Sequence, residues 1–115
     1  MHTHHSIDYI ELAMIDAGKT KDFYSKVFGW EFTDYSPEYI GIKVQGREVG
    51  GFTRVAEVYK GNTLVVLYSN KLEESMLSVQ QAGGTISKDI FSFPGGRRFQ
   101  FLDPNGNELA VWSDT

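Results

Sequence analysis

The stretch "FLDPNGNELAVW", Phe101 to Trp112, joins two β-rich runs through one tight turn, and its reading decides the fold. Spacing alone invites a different answer. Asp103, Asn105 and Asn107 alternate as oxygen ligands do at the start of a calcium loop. That reading fails because the sixth position is Glu108 where glycine is required, and because β-rich segments, not helices, flank the loop. As a turn the stretch is coherent. Pro104 presets φ, Asn105-Gly106 accepts the left-handed conformation, and the run that follows sets Leu109 and Val111 on one face against Glu108, Ala110 and Trp112 on the other. The stretch therefore predicts a turn between two antiparallel strands.

Upstream lie "RRFQFLD" and "TISKDIF", two more β-rich runs. Before them "KLEESMLSVQQAGG" places Leu72, Met76, Val79 and Gln80 at helical spacing, with Gly83-Gly84 as a stop. "TLVVLYS", Thr63 to Ser69, is a β-branched strand. The first half of the chain has the same order. "IDYIELAMI" sets Ile10, Leu12 and Met14 on one face and Tyr9, Glu11 and Ala13 on the other. From Lys19, "KTKDFYSKVFGW" pairs Phe23 with Val27 and Tyr24 with Phe28 before a C-cap glycine, Gly29. "WEFTDY", "YIGIKV" and "EVGGFTRV" follow as three strands separated by turn residues. The pattern predicts an α+β fold of two βαβββ modules, from about residue 6 to 57 and about 62 to 115, joined at Val58 to Asn62. Each helix covers one sheet face, so the other faces are expected to curl into a cup-like cavity.

Composition narrows the function. A chain of 115 residues suits a single domain, and 41% apolar with 14% aromatic residues supplies a core and argues against disorder. Eleven basic against 15 acidic residues, net charge -4, cannot neutralise a row of phosphates, so no nucleic-acid partner is expected. Zero cysteines exclude disulfides, thiolate metal sites and a Cys nucleophile. No apolar run has membrane length and the start lacks a signal-peptide core, so a cytoplasmic protein with no membrane partner is expected.

The chain resembles the glyoxalase, bleomycin-resistance and extradiol dioxygenase superfamily, the vicinal oxygen chelate fold. "DFYSKVFGWEF", "GREVGGF", "QQAGGTI" and "FLDPNGNELAVW", in that order, carry the resemblance over nearly the whole chain. It implies a small molecule bound in the paired-sheet cavity, often beside a divalent metal held by His and Glu, and commonly a homodimer. Residue by residue, the implied metal ligands fall on Tyr9, on the neighbourhood of Gly51 to Thr53, on Thr63 or Leu64, and on Ala110. None of these is His or Glu, and a Mg, Mn or Fe site needs several such groups converging. The resemblance therefore implies the cavity with no metal ligand set and no cofactor. A divalent metal belongs to the alternative, in which Glu11 or Glu108 enters an altered set.

Single residues sharpen this. Glu11 interrupts the first strand on the face opposite Ile10, Leu12 and Met14, toward the expected cavity, where a carboxylate costs desolvation unless paired. It is either a ligand-binding group or candidate catalytic base, or half of a structural ion pair with an arginine such as Arg98. Arg97 and Arg98 begin a strand, so alternation turns one to the cavity, where a guanidinium would hold an anionic ligand. Tyr9, Phe52 and Trp112 either wall a flat ligand or fill the core, and Trp112 shares parity with Glu108 and Ala110. The expected binding residues are thus Tyr9, Glu11, Phe52, Arg98, Glu108 and Trp112. His2, His4 and His5 either gather a transition metal or form an idle terminus. No Gly-x-Ser-x-Gly elbow and no phosphate loop occurs. A metal-free small-molecule binder is the first expectation. A metal-dependent lyase, isomerase or dioxygenase is the second, and a partner-binding domain with a filled cavity the third.

Overall fold

The computed structural model describes residues 2–59, 63–104 and 106–115, and these form eight strands and two helices. The strands are β1 Ile7–Met14, β2 Glu31–Ser36, β3 Tyr39–Val44, β4 Arg47–Arg54, β5 Leu64–Tyr68, β6 Thr85–Phe93, β7 Gly96–Leu102 and β8 Glu108–Ser113; the helices are α1 Ala17–Phe28 and α2 Leu72–Gln81. The doubled strand, helix, three-strand order is thus observed. Two compact units result, Tyr9–Thr63 and Met1–Asp8 with Leu64–Thr115.

In the unit Tyr9–Thr63 the strand order is β2-β3-β4-β1, with β1 and β4 parallel and the other pairs antiparallel. α1 begins at Asp16, whose Oδ1 accepts the Lys19 backbone N–H at 2.8 Å, and ends at Gly29 in the left-handed conformation, φ 72°. Met14, Ile40, Ile42 and Phe52 form the buried core, packed against Leu12, Phe32 and, from the helix side, Tyr24 and Trp30. Phe52 is 3% exposed and belongs to this core. The reason is register: Phe52 pairs with Leu12 and Ile40, both on the helix-facing side of the sheet.

The second unit has the order β5-β8-β7-β6, with β5 and β8 parallel. Leu72, Phe99 and Val111 are its core, flanked by Met76, Val79, Ile86, Ile90 and Phe101. The turn after Leu102 is held by Asp103. Its carbonyl accepts from Gly106 N–H at 3.0 Å, and its two carboxylate oxygens accept from the Asn107 backbone and side-chain amides at 2.9 and 3.0 Å. Asn105 lies outside the described residues, as do Lys60 to Asn62 of the expected joint.

One boundary differs from the expected modules: residues up to Asp8 group with the second unit, not the first. The cause is hydrogen bonding. His5 N–H donates to Tyr68 O at 2.6 Å and Tyr68 N–H to Ser6 O at 3.0 Å, so the leading segment pairs with β5. Nor do its histidines dangle. His4 Nδ1 accepts from Asn70 N–H at 3.1 Å, and His5 Nε2 lies 3.2 Å from Ser75 Oγ.

Candidate functional site

Opposite the helix-facing side of the first unit's sheet lies a row of phenols and carboxylates. Alternation along β1 turns Tyr9 and Glu11 to this face, since Ile10, Leu12 and Met14 take the other. Across the sheet the row is bare of side chains where Gly41 and Gly51 pair, and the strand register joins Gly51 to Glu11. Longer residues lie over that gap. A Cβ on Gly51 would come within 2.2 Å of the Tyr39 hydroxyl oxygen, and one on Gly41 within 2.4 Å of Glu48 Oε1. Neighbouring side chains occupy the space over both glycines, so a larger residue at either position would have to displace them.

The contacts form one chain. Tyr9 and Tyr39 hydroxyls are 2.8 Å apart, Tyr9 also reaches Glu48 Oε2 at 3.2 Å, and Tyr39 reaches Glu11 Oε2 at 3.3 Å. Tyr35 donates a short hydrogen bond to the other Glu48 oxygen. Each phenol carries one proton, so Tyr9 and Tyr39 together have two protons for three contacts. The two phenol protons cover two of these three contacts. Burial, before any neighbour, raises the ionisation of both Tyr9 and Tyr39 well above the ordinary tyrosine range; Tyr35 is raised chiefly by its bond to Glu48. These phenols are therefore neutral donors at physiological pH.

Tyr35, Tyr39 and Glu48 are absent from the sequence-expected set. For Glu48 parity is misleading: it lies three positions before Gly51, so strict alternation would put the two on opposite faces. A bulge between Ile42 and Lys43 shifts the β3–β4 register, so Glu48 pairs with Lys43 and joins the Gly51 side. The glycines of "YIGIKV" and "GREVGGF" were the available signal for the cleared row.

In the second unit Arg98, Gln100, Glu108, Ala110 and Trp112 share the face opposite α2, as their pairings show: Arg98 with Trp112, Gln100 with Ala110, Leu102 with Glu108. Arg97 turns the other way, to Glu73 on α2, which raises the guanidinium and lowers the carboxyl through their hydrogen bond. Arg98 lies 5.3 Å from the Phe91 ring centre, and its Nη2 donates to Gln100 Oε1 at 3.4 Å. Glu108 accepts from Ser87 at 2.8 Å and Gln100 at 3.1 Å. Trp112 donates its indole N–H to Asp8 Oδ2 at 2.9 Å. Away from all these residues, an open hollow of about 460 Å³ is lined by Ile15, Glu38, Arg54, Val55 and Ala56.

The register also aligns the modules. The helices begin at Ala17 and Leu72, so a shift of 55 residues carries Glu11 onto Val66 and Tyr9 onto Leu64. Glu11 pairs with Gly51 and Val66 with Ala110, which makes Gly51 the counterpart of Ala110. The implied ligand positions are therefore a neutral phenol, a glycine whose side-chain space holds the Tyr39 hydroxyl, a leucine and a methyl group. This donor set does not fit a divalent metal. Among the described residues no three His, Cys, Asp or Glu converge.

The fold recurs in solved structures. A Mn(II)-bound glyoxalase from Novosphingobium aromaticivorans superposes with TM-score 0.73 at 23% identity, over 99% of this chain and 40% of that one. A variant of homoprotocatechuate 2,3-dioxygenase from B. fuscum gives TM-score 0.73 at 15% identity, over 99% and 33%. A glyoxalase/bleomycin resistance protein/dioxygenase superfamily member from Vibrio splendidus 12B01 gives 0.70 at 14%, over 95% and 98%. This chain thus spans two fifths of the glyoxalase and a third of the dioxygenase. No curated protein sequence matches it. The sequence profile of the Glyoxalase/Bleomycin resistance protein/Dioxygenase superfamily matches residues 6–111, and the chain belongs to that superfamily.

Proposed function

We propose that this protein binds a small organic molecule at the Tyr9, Glu11, Tyr39 and Glu48 row without a resident metal or other cofactor. One observation carries the reading: Tyr39 places its hydroxyl where a side chain of residue 51 would stand, so the neighbourhood in which the resemblance implies a metal ligand is taken up here by a phenol bonded to Tyr9. The shortage of one proton in that chain favours a ligand that brings an N–H or O–H donor. Arg98 and Trp112 supply, in the other unit, a cation and a flat aromatic face of the kind ligands use.

The rival reading, a metal-dependent lyase, isomerase or dioxygenase using Glu11, makes a different forecast. Chelator-treated protein is expected to show no change in Tm with Mn, Fe, Ni or Zn and less than about a tenth of an equivalent of retained metal after purification. Calorimetry against a library of small donor-bearing compounds is expected to return binders that Tyr39→Phe weakens by about tenfold, the worth of one hydrogen bond. Stoichiometric metal that raises Tm would sink the metal-free reading. A library with no binder would sink the ligand reading and leave the domain a structural one. Cytoplasmic residence and a homodimer belong to the same proposal; no described helix is long and apolar enough to cross a membrane.

A further inference from the structure

A second arrangement, wholly within the unit Met1–Asp8 with Leu64–Thr115, uses none of the residues of that row. Tyr68 at the end of β5 and Trp112 on β8 are register partners, and their rings stand 5.3 Å apart at 70°, forming two walls of a corner. Phe93 extends the Trp112 wall at 6.2 Å. Asp8, its side chain 7% exposed, accepts the Trp112 indole N–H at 2.9 Å, while Asp114 accepts a hydrogen bond from the Tyr68 hydroxyl. Both walls are thus oriented by carboxylates. That bond lowers the Asp114 carboxyl, so it stays an anion.

The corner is occupied by the chain itself. The His2 imidazole stacks on Tyr68 at 4.9 Å and 26°, and meets Trp112 at 4.8 Å and 84°. Its Nδ1 lies 3.1 Å from Asp8 Oδ1. A carboxylate only accepts, so Nδ1 carries the proton of this contact. The occupant is a flat ring that presents an N–H to one carboxylate, with a second carboxylate beside the stacking tyrosine. Two aromatic faces with two anions form a recognition surface for a flat nitrogen cation. The bonds that set the walls, Trp112 to Asp8 and Tyr68 to Asp114, do not involve His2, so the corner is preorganised without its occupant.

We propose that this corner is a binding site for a small flat organic cation with an N–H donor, of the amidinium or imidazolium class, and that His2 is its intramolecular competitor. An incoming ligand displaces the His2 ring, and its apparent affinity falls by the fraction of time the corner is open.

The test titrates benzamidinium into the full chain and its His2→Ala variant, reading the indole N–H resonance of Trp112, identified by its loss in Trp112→Phe. Benzamide, uncharged and of the same shape, is the control. His2→Ala is expected to bind benzamidinium at least about tenfold tighter than the parent, with no comparable response to benzamide. Asp8→Asn in the His2→Ala background keeps an acceptor for the indole but removes the charge, and is expected to lose most of the binding. Equal midpoints in parent and His2→Ala would overturn the proposal. So would silence of the Trp112 resonance in His2→Ala, or equal responses to the two probes. The last comparison is made in His2→Ala alone and decides the matter even where Asp8→Asn fails to fold. Because the readout is local to Trp112, failure here leaves the Tyr9 row untouched, and the reverse.

Discussion

At the scale of the residue, Gly51 and Ala110 are informative through what they lack. They are counterparts in the two modules, each paired with the strand that opens its module, and each lies at or beside a position where the resemblance implies a metal ligand. The consequences differ. Ala110 is fully buried and leaves a methyl group, whereas at Gly51 the Tyr39 hydroxyl takes the space. A titration follows from that phenol pair. Tyr9 and Tyr39 ionise, in the folded state, well above the 10.0 of a free tyrosine. A raised value means the unfolded chain loses these protons first, so stability is intact below pH 10 and falls as pH rises beyond it. Each phenol adds a slope of at most about 1.4 kcal/mol per pH unit, less where solvent reaches it. Denaturant unfolding from about pH 9 to about pH 11.5 is expected to lose stability less steeply in Tyr9→Phe than in the parent; equal slopes would refute the assignment. Tyr9 and Glu11 were legible in the sequence because period-two alternation needs no tertiary information. Tyr39 and Glu48 were not, since one depends on a cleared glycine pair and the other on a bulge.

At the scale of the element, the two helices are built unequally. α1 has a side-chain N-cap in Asp16 and a left-handed glycine at its C-terminus, yet none of its residues is fully buried. α2 buries Leu72 and Ser75 but starts at Lys71 with no side-chain cap. Local signals thus hold α1 where packing is thin, and packing holds α2 where local signals are thin. Asp16→Ala is accordingly expected to destabilise the protein by about 1 kcal/mol, and Lys71→Asp to stabilise it by about 0.5 kcal/mol, both read as shifts in denaturation midpoint. An Asp16→Ala variant of unchanged midpoint would mean that α1 is held by packing alone. Both helix ends marked by glycine, at Gly29 and Gly83, were readable in the sequence because positive φ selects glycine irrespective of what lies around it.

At the scale of the whole molecule, the leading segment decides how the chain divides. Residues before Tyr9 pair with β5 and bond to Trp112, so β1 starts in one compact unit and ends in the other. Deleting residues 2–6 is expected to speed amide exchange in residues 64–115 by about tenfold more than in residues 9–59, because the lost bonds lie in the former unit. Uniform acceleration would assign the segment to the fold at large. The sequence by itself determined the doubled strand, helix and three-strand order, the turn at Asp103, the faces of β1 and β8, and the absence of His or Glu at the implied ligand positions. All of these follow from period, turn chemistry and residue identity, which are local. The tertiary structure alone decided that Phe52 is core, that a bulge brings Glu48 beside Tyr9, that Tyr39 fills the space over Gly51, and that His2 sits between Tyr68 and Trp112. Each of these depends on register between strands distant in the chain, and register is fixed by packing and hydrogen bonding that no single segment encodes.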